Sequence, residues 1–308
     1  MKNFLNISDV SAKELRSILD EARTRKITRA NLNKSSLDED KPCDGKSMIM
    51  IFEKPSTRTR ISFDIAMKQL GGSSIILNPD GIHYGKGDES IKDTAKVLSE
   101  YADIIMIRTS NHKNLDEFAK YLSIPIINGL SERSHPCQIM SDILTFEEIK
   151  GNIKDKTIAW LGDGDNNMSN SLIEASGKFG FNLKIGCPSK YSPNKKILNW
   201  AKKNRANVMV TKDPKQAIKD VDCVMTDKWV SMNDKVNKKA KKNTLKKYQV
   251  NTKLMNLAKN DAIFMHCLPV GRGEEVTNEI IDGKKSVVWK QALNRVHAQK
   301  SIIKWCLD

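Results

Sequence analysis

The chain of 308 residues has no apolar run approaching the ~20 residues that a membrane span needs; its longest are short, such as Ile104–Ile107. It has no C-x-x-C pair, and its six cysteines (43, 137, 187, 223, 267 and 306) lie far apart. The opening MKNFLNISDV lacks an apolar signal region, so export is not expected. The cysteines then read as reduced thiols of a cytoplasmic protein, not as a disulfide framework. No internal repeat or low-complexity tract is visible. With 39% apolar and 29% charged residues, 16 Gly and 9 Pro, the composition excludes a disordered chain, a collagen-like repeat and a coiled coil. Arginine is also scarce: eleven of the 52 basic residues, so lysine is the default cation. An arginine inside an otherwise apolar or special motif is therefore informative, because its planar fork grips phosphate or carboxylate bidentately where lysine cannot. Arg58, Arg60, Arg108 and Arg295 occupy such settings.

What is present is a basic chain, net charge +15, with alternating strand and helix patterns. A basic balance suits nucleic acid, an anionic membrane or acidic small substrates. The densest stretch, Lys235–Lys253, carries eight lysines but only one aromatic, Tyr248, and reads as a solvated face. A nucleic-acid-binding module, which would lose affinity steeply with salt, is thereby disfavoured. Neither nucleic acid nor membrane is an expected partner.

Ser11 and Glu14 have capping-box spacing, and Leu15, Ile18, Leu19 and Ala22 recur on one helix face. Residues 31–44 read as a loop. Strands are expected near Lys46–Phe52, Ser73–Leu77, Asp103–Ile107 and Ile124–Ile127. Helices follow from about Arg58 to Gly71-Gly72, near Ser90–Tyr101 and near Leu115–Tyr121. Pro136–Lys150 reads as one long helix with Pro in its first turn. A second series has strands near Thr157–Leu161, Leu183–Cys187, Val208–Val210, Cys223–Thr226 and Ala262–Met265, and a last helix spans about Gln291–Leu307. The expected fold is α/β: two doubly wound parallel-sheet domains, residues 1–150 and 151–290, joined by the long helix, with the C-terminal helix (291–308) packing back on the first.

Five segments carry chemistry. Glu53-Lys54-Pro55-Ser56-Thr57-Arg58-Thr59-Arg60 falls between a strand and a helix. Free backbone N–H groups and the positive end of the macrodipole make that turn an anion site. Its three hydroxyls and two guanidiniums exceed what capping requires. Ser134-His135-Pro136-Cys137-Gln138 opens the long helix; His135 can donate to a carbonyl oxygen and Gln138 can accept from an amide. Met265-His266-Cys267-Leu268-Pro269 ends a strand, where open α/β sheets bind ligands; Cys267 suits a polar contact, and no nearby base supports a covalent thiol mechanism. Gly162-Asp163-Gly164-Asp165-Asn166-Asn167 half-matches G-x-G-x-x-G, but Asn167 replaces the third glycine and no ribose-binding acid follows, so NAD is not expected. Thr226-Asp227-Lys228-Trp229-Val230-Ser231-Met232 follows another strand; Asp227 can pair with an ammonium group and Ser231 with a carboxylate. His83 and Lys86 sit in a Gly-rich loop, Gly81–Gly87.

In this order, the S-T-R-T-R (56–60), H-P-C-Q (135–138) and H-C-L-P (266–269) runs resemble the aspartate/ornithine carbamoyltransferase family. The likeness extends from about residue 3 to 307. S-T-R-T and H-P-x-Q are common to both branches; Cys137, D-x-W-x-S-M (227–232) and H-C-L-P point to the ornithine branch. The resemblance implies trimers, or multiples of trimers, that use carbamoyl phosphate and L-ornithine and need neither metal nor cofactor. It implies that Ser56, Thr57, Arg58 and Thr59 hold the phosphate, with Arg108 bridging phosphate and carbonyl. His135, Pro136, Gln138, Arg295, Cys267 and Leu268 would surround the carbamoyl group, and Arg108, His135 and Cys267 would be catalytic. Asn167, Asp227, Ser231 and Met232 would hold ornithine. His83 would join the carbamoyl phosphate site from a neighbouring subunit, where the family usually has Gln, and Asn233 stands where the family has Gly. A carbamoyltransferase for another amine, putrescine or an acylated ornithine, is the alternative; putrescine would leave Ser231 and Asn167 without a carboxylate.

Overall fold

The computed structural model describes residues 1–78, 89–230 and 237–308. His83, Lys86, Ser231, Met232 and Asn233 lie outside them. The chain divides into two compact units, Met1–Leu144 with Asn294–Asp308, and Thr145–Leu293.

The first unit is built on strands β1 (Ser47–Phe52), β2 (Ser73–Leu77), β3 (Ile104–Arg108) and β4 (Ile126–Leu130). Its helices are α1 (Ala12–Thr28), α2 (Thr57–Gln69), α3 (Ile91–Tyr101), α4 (His112–Tyr121) and the start of α5 (Pro136–Lys150). The second unit holds β5 (Thr157–Leu161), β6 (Asn182–Gly186), β7 (Val208–Thr211), β8 (Cys223–Thr226) and β9 (Ile263–His266). Between and after them come α6 (Asn167–Phe179), α7 (Lys195–Lys203), α8 (Pro214–Ile218), α9 (Lys238–Leu245), α10 (Thr252–Met255), α11 (Asn278–Ile281) and α12 (Val288–Leu307). The Ser11–Glu14 capping box forms as expected at the start of α1.

Both sheets are entirely parallel, in the orders β2-β1-β3-β4 and β7-β6-β5-β8-β9. A parallel sheet needs cover on both faces, so its strands are apolar throughout rather than alternating. Met48, Ile49, Met50, Ile51 and Phe52 of β1 are accordingly all buried. On one face Ile49, Ile51, Ile105 and Ile107 pack with Ala95 and Leu98 of α3 and Leu115 and Phe118 of α4. In the second unit Ala159, Leu161, Val224 and Phe264 pack with Ala217 and Ile218 of α8. The strand order reverses between β1 and β3 in one sheet and between β5 and β8 in the other. Neighbouring connections leave the sheet in opposite directions there, opening a crevice beyond the strand ends.

Two boundaries and one burial depart from the sequence reading. β4 runs to Leu130 through Asn128 and Gly129, because the buried Asn128 amide donates to Leu5 O (2.9 Å) and to Ser134 Oγ (2.9 Å). The last helix starts three residues early, at Val288. The lysine run is not wholly solvated: Lys241 is buried, its ammonium 2.6 Å from the Asp163 carboxylate and 5.2 Å from the centre of the Tyr191 ring. Among the described residues no helix is long and apolar enough to cross a membrane.

His297 of α12 is buried, and burial together with Lys300, Lys26 and Arg29 pushes its pKa down to about 3. The unfolded chain therefore binds this proton more readily than the folded one. The stability it contributes is present above pH 6.5 and is lost as the pH falls. At pH 5 the loss from this one ring is about 2 kcal/mol, taking an unfolded pKa of about 6.5. Urea unfolding at pH 7 and pH 5 should show a smaller drop for His297→Gln than for the parent; an equal drop would contradict it.

Candidate active site

The Glu53–Arg60 turn lies at the first switch point, between β1 and α2. Ser56 is the N-cap residue, with φ −153° and ψ 101°, but its side chain makes no capping bond. The hydroxyl is thus not consumed by the helix. Opposite stands the end of β3, joined by Glu53 N–H donating to Arg108 O (3.0 Å). The Glu53 carboxylate fastens the two turns further. It accepts from Thr109 Oγ1 (2.6 Å), Ser110 N–H (3.0 Å) and Asn114 Nδ2 (3.1 Å). Glu53 is a supporting residue that sequence reasoning passed over; its position directly after an apolar strand was the available signal.

Thr59 is buried in the first turn of α2. Its Oγ1 accepts from Arg108 Nη1 at 3.1 Å and from Arg295 Nη2 at 2.9 Å. A hydroxyl has two acceptor lone pairs and one proton. Both lone pairs face guanidiniums, so the proton is the hydroxyl's remaining polar capacity, and it suits an anionic or carbonyl oxygen. Arg295 also donates through Nη1 to Gln138 Oε1. Gln138 Nε2 in turn donates to Asp142 Oδ1 at 2.7 Å. Since arginine can only donate and a carboxylate accepts, this chain fixes which way the Gln138 amide points. Asp142, one turn along α5, is a second residue the sequence reading missed.

His135 stands at the entrance to α5, 5% exposed. Burial, then the positive charges of Arg295, Arg108 and Arg58, hold its pKa well below the usual value. The ring is neutral at physiological pH, with one N–H to donate and no charge to add. Its loop is fixed by the buried Ser134 hydroxyl, which donates to Asn6 Oδ1 (2.7 Å), and by the Asn128 amide. The structure therefore gathers Thr59, Arg108, Gln138 and Arg295 into one bonded chain, with His135 and Arg58 in their electrostatic field. Ser56 and Thr57 lie on the same turn, and Pro136 is the first residue of α5.

In the second unit, Asn167 is the first residue of α6, just past β5. Asn166 caps that helix, accepting from Ser169 N–H at 2.8 Å. Gly162 begins the turn at φ +121°, and a Cβ there would lie 3.2 Å from the Trp229 ring nitrogen. Only glycine meets both demands comfortably. Asp163 closes the turn, accepting from Asp165 N–H at 2.9 Å. On the far side of the switch point Asp227 follows β8, and Cys267 follows β9. Cys267 Sγ donates to Asp227 Oδ1 at 3.1 Å.

Leu268 has φ +59°, a conformation unfavourable for leucine, and the bond to Pro269 is cis. Leu268 N–H donates to His266 Nδ1 at 2.8 Å, so the ring proton sits on Nε2, 3.2 Å from the Glu275 carboxylate. Both His266 and Glu275 are buried. Asp227, His266 and Cys267 bring possible metal-ligating atoms within 4.8 Å of one another. Both ring nitrogens of His266 are already engaged, which leaves two ligands, fewer than a structural zinc site uses.

The carbamoyl-phosphate-binding domain model of the aspartate/ornithine carbamoyltransferases matches residues 2–148, and the model of their aspartate/ornithine-binding domain matches residues 154–306. The chain belongs to the aspartate/ornithine carbamoyltransferase family. It is 51% identical over 306 residues to the ornithine carbamoyltransferase of Nitrobacter winogradskyi, covering 99% of this chain and 97% of that protein. It is likewise 51% identical to that of Rhizobium meliloti, over 99% of this chain and 98% of the relative. The solved ornithine carbamoyltransferase of Pyrococcus furiosus superposes with a TM-score of 0.92 at 42% identity, over 98% of this chain and 96% of that one. Family membership thus extends across both sheets and both switch points.

Both oxygens of the Glu53 carboxylate accept, from Thr109 and Ser110 on one and Asn114 on the other, and a glutamine presents one acceptor oxygen in place of two. Glu53→Gln is expected to lose about 1–3 kcal/mol of stability through an unmatched donor pair. Equilibrium unfolding in urea measures it; an unchanged midpoint would remove Glu53 from its supporting role.

Proposed function

We propose that the chain transfers the carbamoyl group of carbamoyl phosphate to the side-chain amine of L-ornithine, giving L-citrulline and phosphate. The observation that carries this reading is Thr59: an oxygen saturated by two guanidiniums, with its proton left for a ligand, at the positive end of α2. Ser56, Thr57, Arg58 and Thr59 hold the phosphate, and Arg108 spans phosphate and carbonyl. His83 belongs to this site by family resemblance. His135, Pro136, Gln138, Arg295 and the Cys267–Leu268 backbone contact the carbamoyl group. Asn167, Ser231 and Met232 take the α-amino and α-carboxylate groups of ornithine with Asp227, and Cys267 lies beside the reacting amine.

In the reaction the neutral amine attacks the carbamoyl carbon. A C–N bond forms, the bond from that carbon to the phosphate oxygen breaks, and the departing phosphate takes the amine proton. Negative charge grows on the carbonyl oxygen, where Thr59, Arg108 and the neutral His135 donate. Preorganised donors of this kind contribute ~3–4 kcal/mol each. The mixed anhydride is already activated, so the chemistry calls for orientation and charge rather than a metal or organic cofactor. That activation also makes transfer toward citrulline the downhill direction, which suits arginine biosynthesis. We place the enzyme in the cytoplasm, consistent with six cysteines that form no disulfide. Its working form is a homotrimer or a multiple of trimers, which sedimentation would test against the 34.7 kDa chain.

A colorimetric citrulline assay with purified protein and both substrates tests the function, and comparing ornithine, putrescine and aspartate as acceptors tests the choice of amine. No citrulline from ornithine would overturn the reading. Activity should rise with pH above neutrality, because a free side-chain amine has a pKa near ~10.4 and must lose its proton to attack. His135, already neutral, adds no inflection near pH 6.5. A flat profile from pH 6 to 9 with chemistry limiting the rate would contradict the scheme. Arg58→Lys should cost far more activity than Lys54→Arg, since only the first removes a bidentate phosphate fork; steady-state kinetics giving equal effects would misplace the site.

A further inference from the structure

Arg295 reaches Thr59 from α12, the last helix of the chain, whose residues from Asn294 onward belong to the first unit. Its hydrogen bonds to Thr59 and Gln138 form only if α12 has the right axial position on the first unit. Five residues further along, Lys300 is completely buried, at 0% exposure. Its ammonium pairs with the Asp38 carboxylate, 2.6 Å from Oδ1, and donates to Gln69 Oε1 at 3.2 Å. Gln69 is the last residue of α2, whose first turn carries Thr59. Two side chains of α12 therefore grip α2 at its two ends: Arg295 at the anion-binding turn, Lys300 at the far terminus.

Asp38 is itself held hard. Arg25 Nη1, from α1, donates to Oδ2 at 2.9 Å, and Arg29 Nη1, from the residue that caps α1, donates to Oδ1 at 2.6 Å. Asp38 N–H donates to Gln69 O at 2.6 Å, and Gln69 Nε2 donates to Lys34 O at 2.8 Å. One buried carboxylate thus ties α1, the 31–44 segment, the end of α2 and α12 to a common point. Such charge-assisted bonds are short and directional, and a buried ion pair fixes register more surely than apolar packing, which tolerates sliding. A buried lysine is costly to retain where an apolar residue would fill the space.

We propose that Lys300 is a positioning residue for Arg295: by clasping Asp38 and Gln69 it sets α12 against α2, so that the Arg295 guanidinium meets Thr59 and Gln138. This rests on the carbamoyl phosphate site proposed above. Lys300 touches no substrate and acts only through Arg295.

A double-mutant cycle separates this role from plain stability. Equilibrium binding of carbamoyl phosphate is measured for the parent, Lys300→Met, Arg295→Met and the double variant, with thermal midpoints recorded for all four. Arg295→Met should weaken binding about a hundredfold and Lys300→Met about tenfold, while the double variant should bind no worse than Arg295→Met, on the order of full coupling. Lys300→Arg, which keeps the charge, should restore part of the affinity. A residue that merely stabilises the fold would lower the midpoint without this coupling. Gln69→Met, which cuts the Lys300 tie to α2 and the bond to Lys34 O but leaves the Lys300–Asp38 pair, repeats the cycle should Lys300→Met not fold, with the same coupling expected. Binding by Lys300→Met within twofold of the parent, or losses that multiply in the double variant, would overturn the inference alone. Failure of the parent to bind carbamoyl phosphate would overturn the proposed function and the inference with it.

Discussion

One threonine oxygen organises the first unit. Thr59 Oγ1 receives N–H groups from Arg108, at the end of β3, and from Arg295, on α12. Three segments distant in sequence meet on this atom. Two guanidiniums converging on one neutral oxygen is an unfavourable arrangement by charge alone, because like charges are brought together in a partly dry setting. It persists because parallel strands, helix burial and the surrounding hydrogen bonds over-determine the position of each partner. Under the proposed function the cost is recovered when the phosphate binds, as expected of a preorganised site.

Sheet connectivity explains why these loops and not others are the candidates for the chemistry. In each unit the strand order reverses once, between β1 and β3 or between β5 and β8. Only at that reversal do two neighbouring strand ends lead away to opposite faces, leaving a groove that backbone does not cover. The phosphate-type turn and Arg108 flank the first reversal; the Gly162–Asn167 turn and Asp227 flank the second. Thr226 Oγ1 donates across the second reversal to Leu161 O at 2.7 Å, fixing the two strand ends that bear those turns.

Much of this was legible in the residues, for identifiable reasons. Buried parallel strands are continuous apolar runs, so Ser47–Phe52 and Thr157–Leu161 declare themselves. Scarce arginine in a lysine-rich chain marked Arg58, Arg108 and Arg295 before any contact was known. The Ser56–Arg60 turn was visible because its hydroxyls exceed what one helix cap can use, and Ser56 does not cap. What escaped was long-range pairing. Asp142 looks like any helical acid until Gln138 is seen to be oriented by Arg295, 157 positions away in sequence. Lys241 and Lys300 look like surface cations in a chain full of them, since burial of a lysine is decided by where the carboxylates of Asp163 and Asp38 fall in space. A polar residue such as Asn128 reads as the end of a strand, whereas in β4 its amide nitrogen is satisfied by Leu5 and Ser134.

The placement of acids completes the logic of charge. A site for a dianion needs cations that are not already neutralised, yet buried cations need company. Here the carboxylates are set one contact back from the converging groups. Glu53 binds the Thr109–Asn114 turn, Asp142 holds the Gln138 amide, and Asp38 holds Lys300, Arg25 and Arg29. Each orients a neighbour of the bonded chain around Thr59. His135 contributes by what it withholds: pressed toward neutrality by burial and three arginines, it offers a donor without adding a fourth positive charge. Under the proposed function, the positive charge of the arginines serves the phosphate and the neutral His135 donor serves the carbonyl.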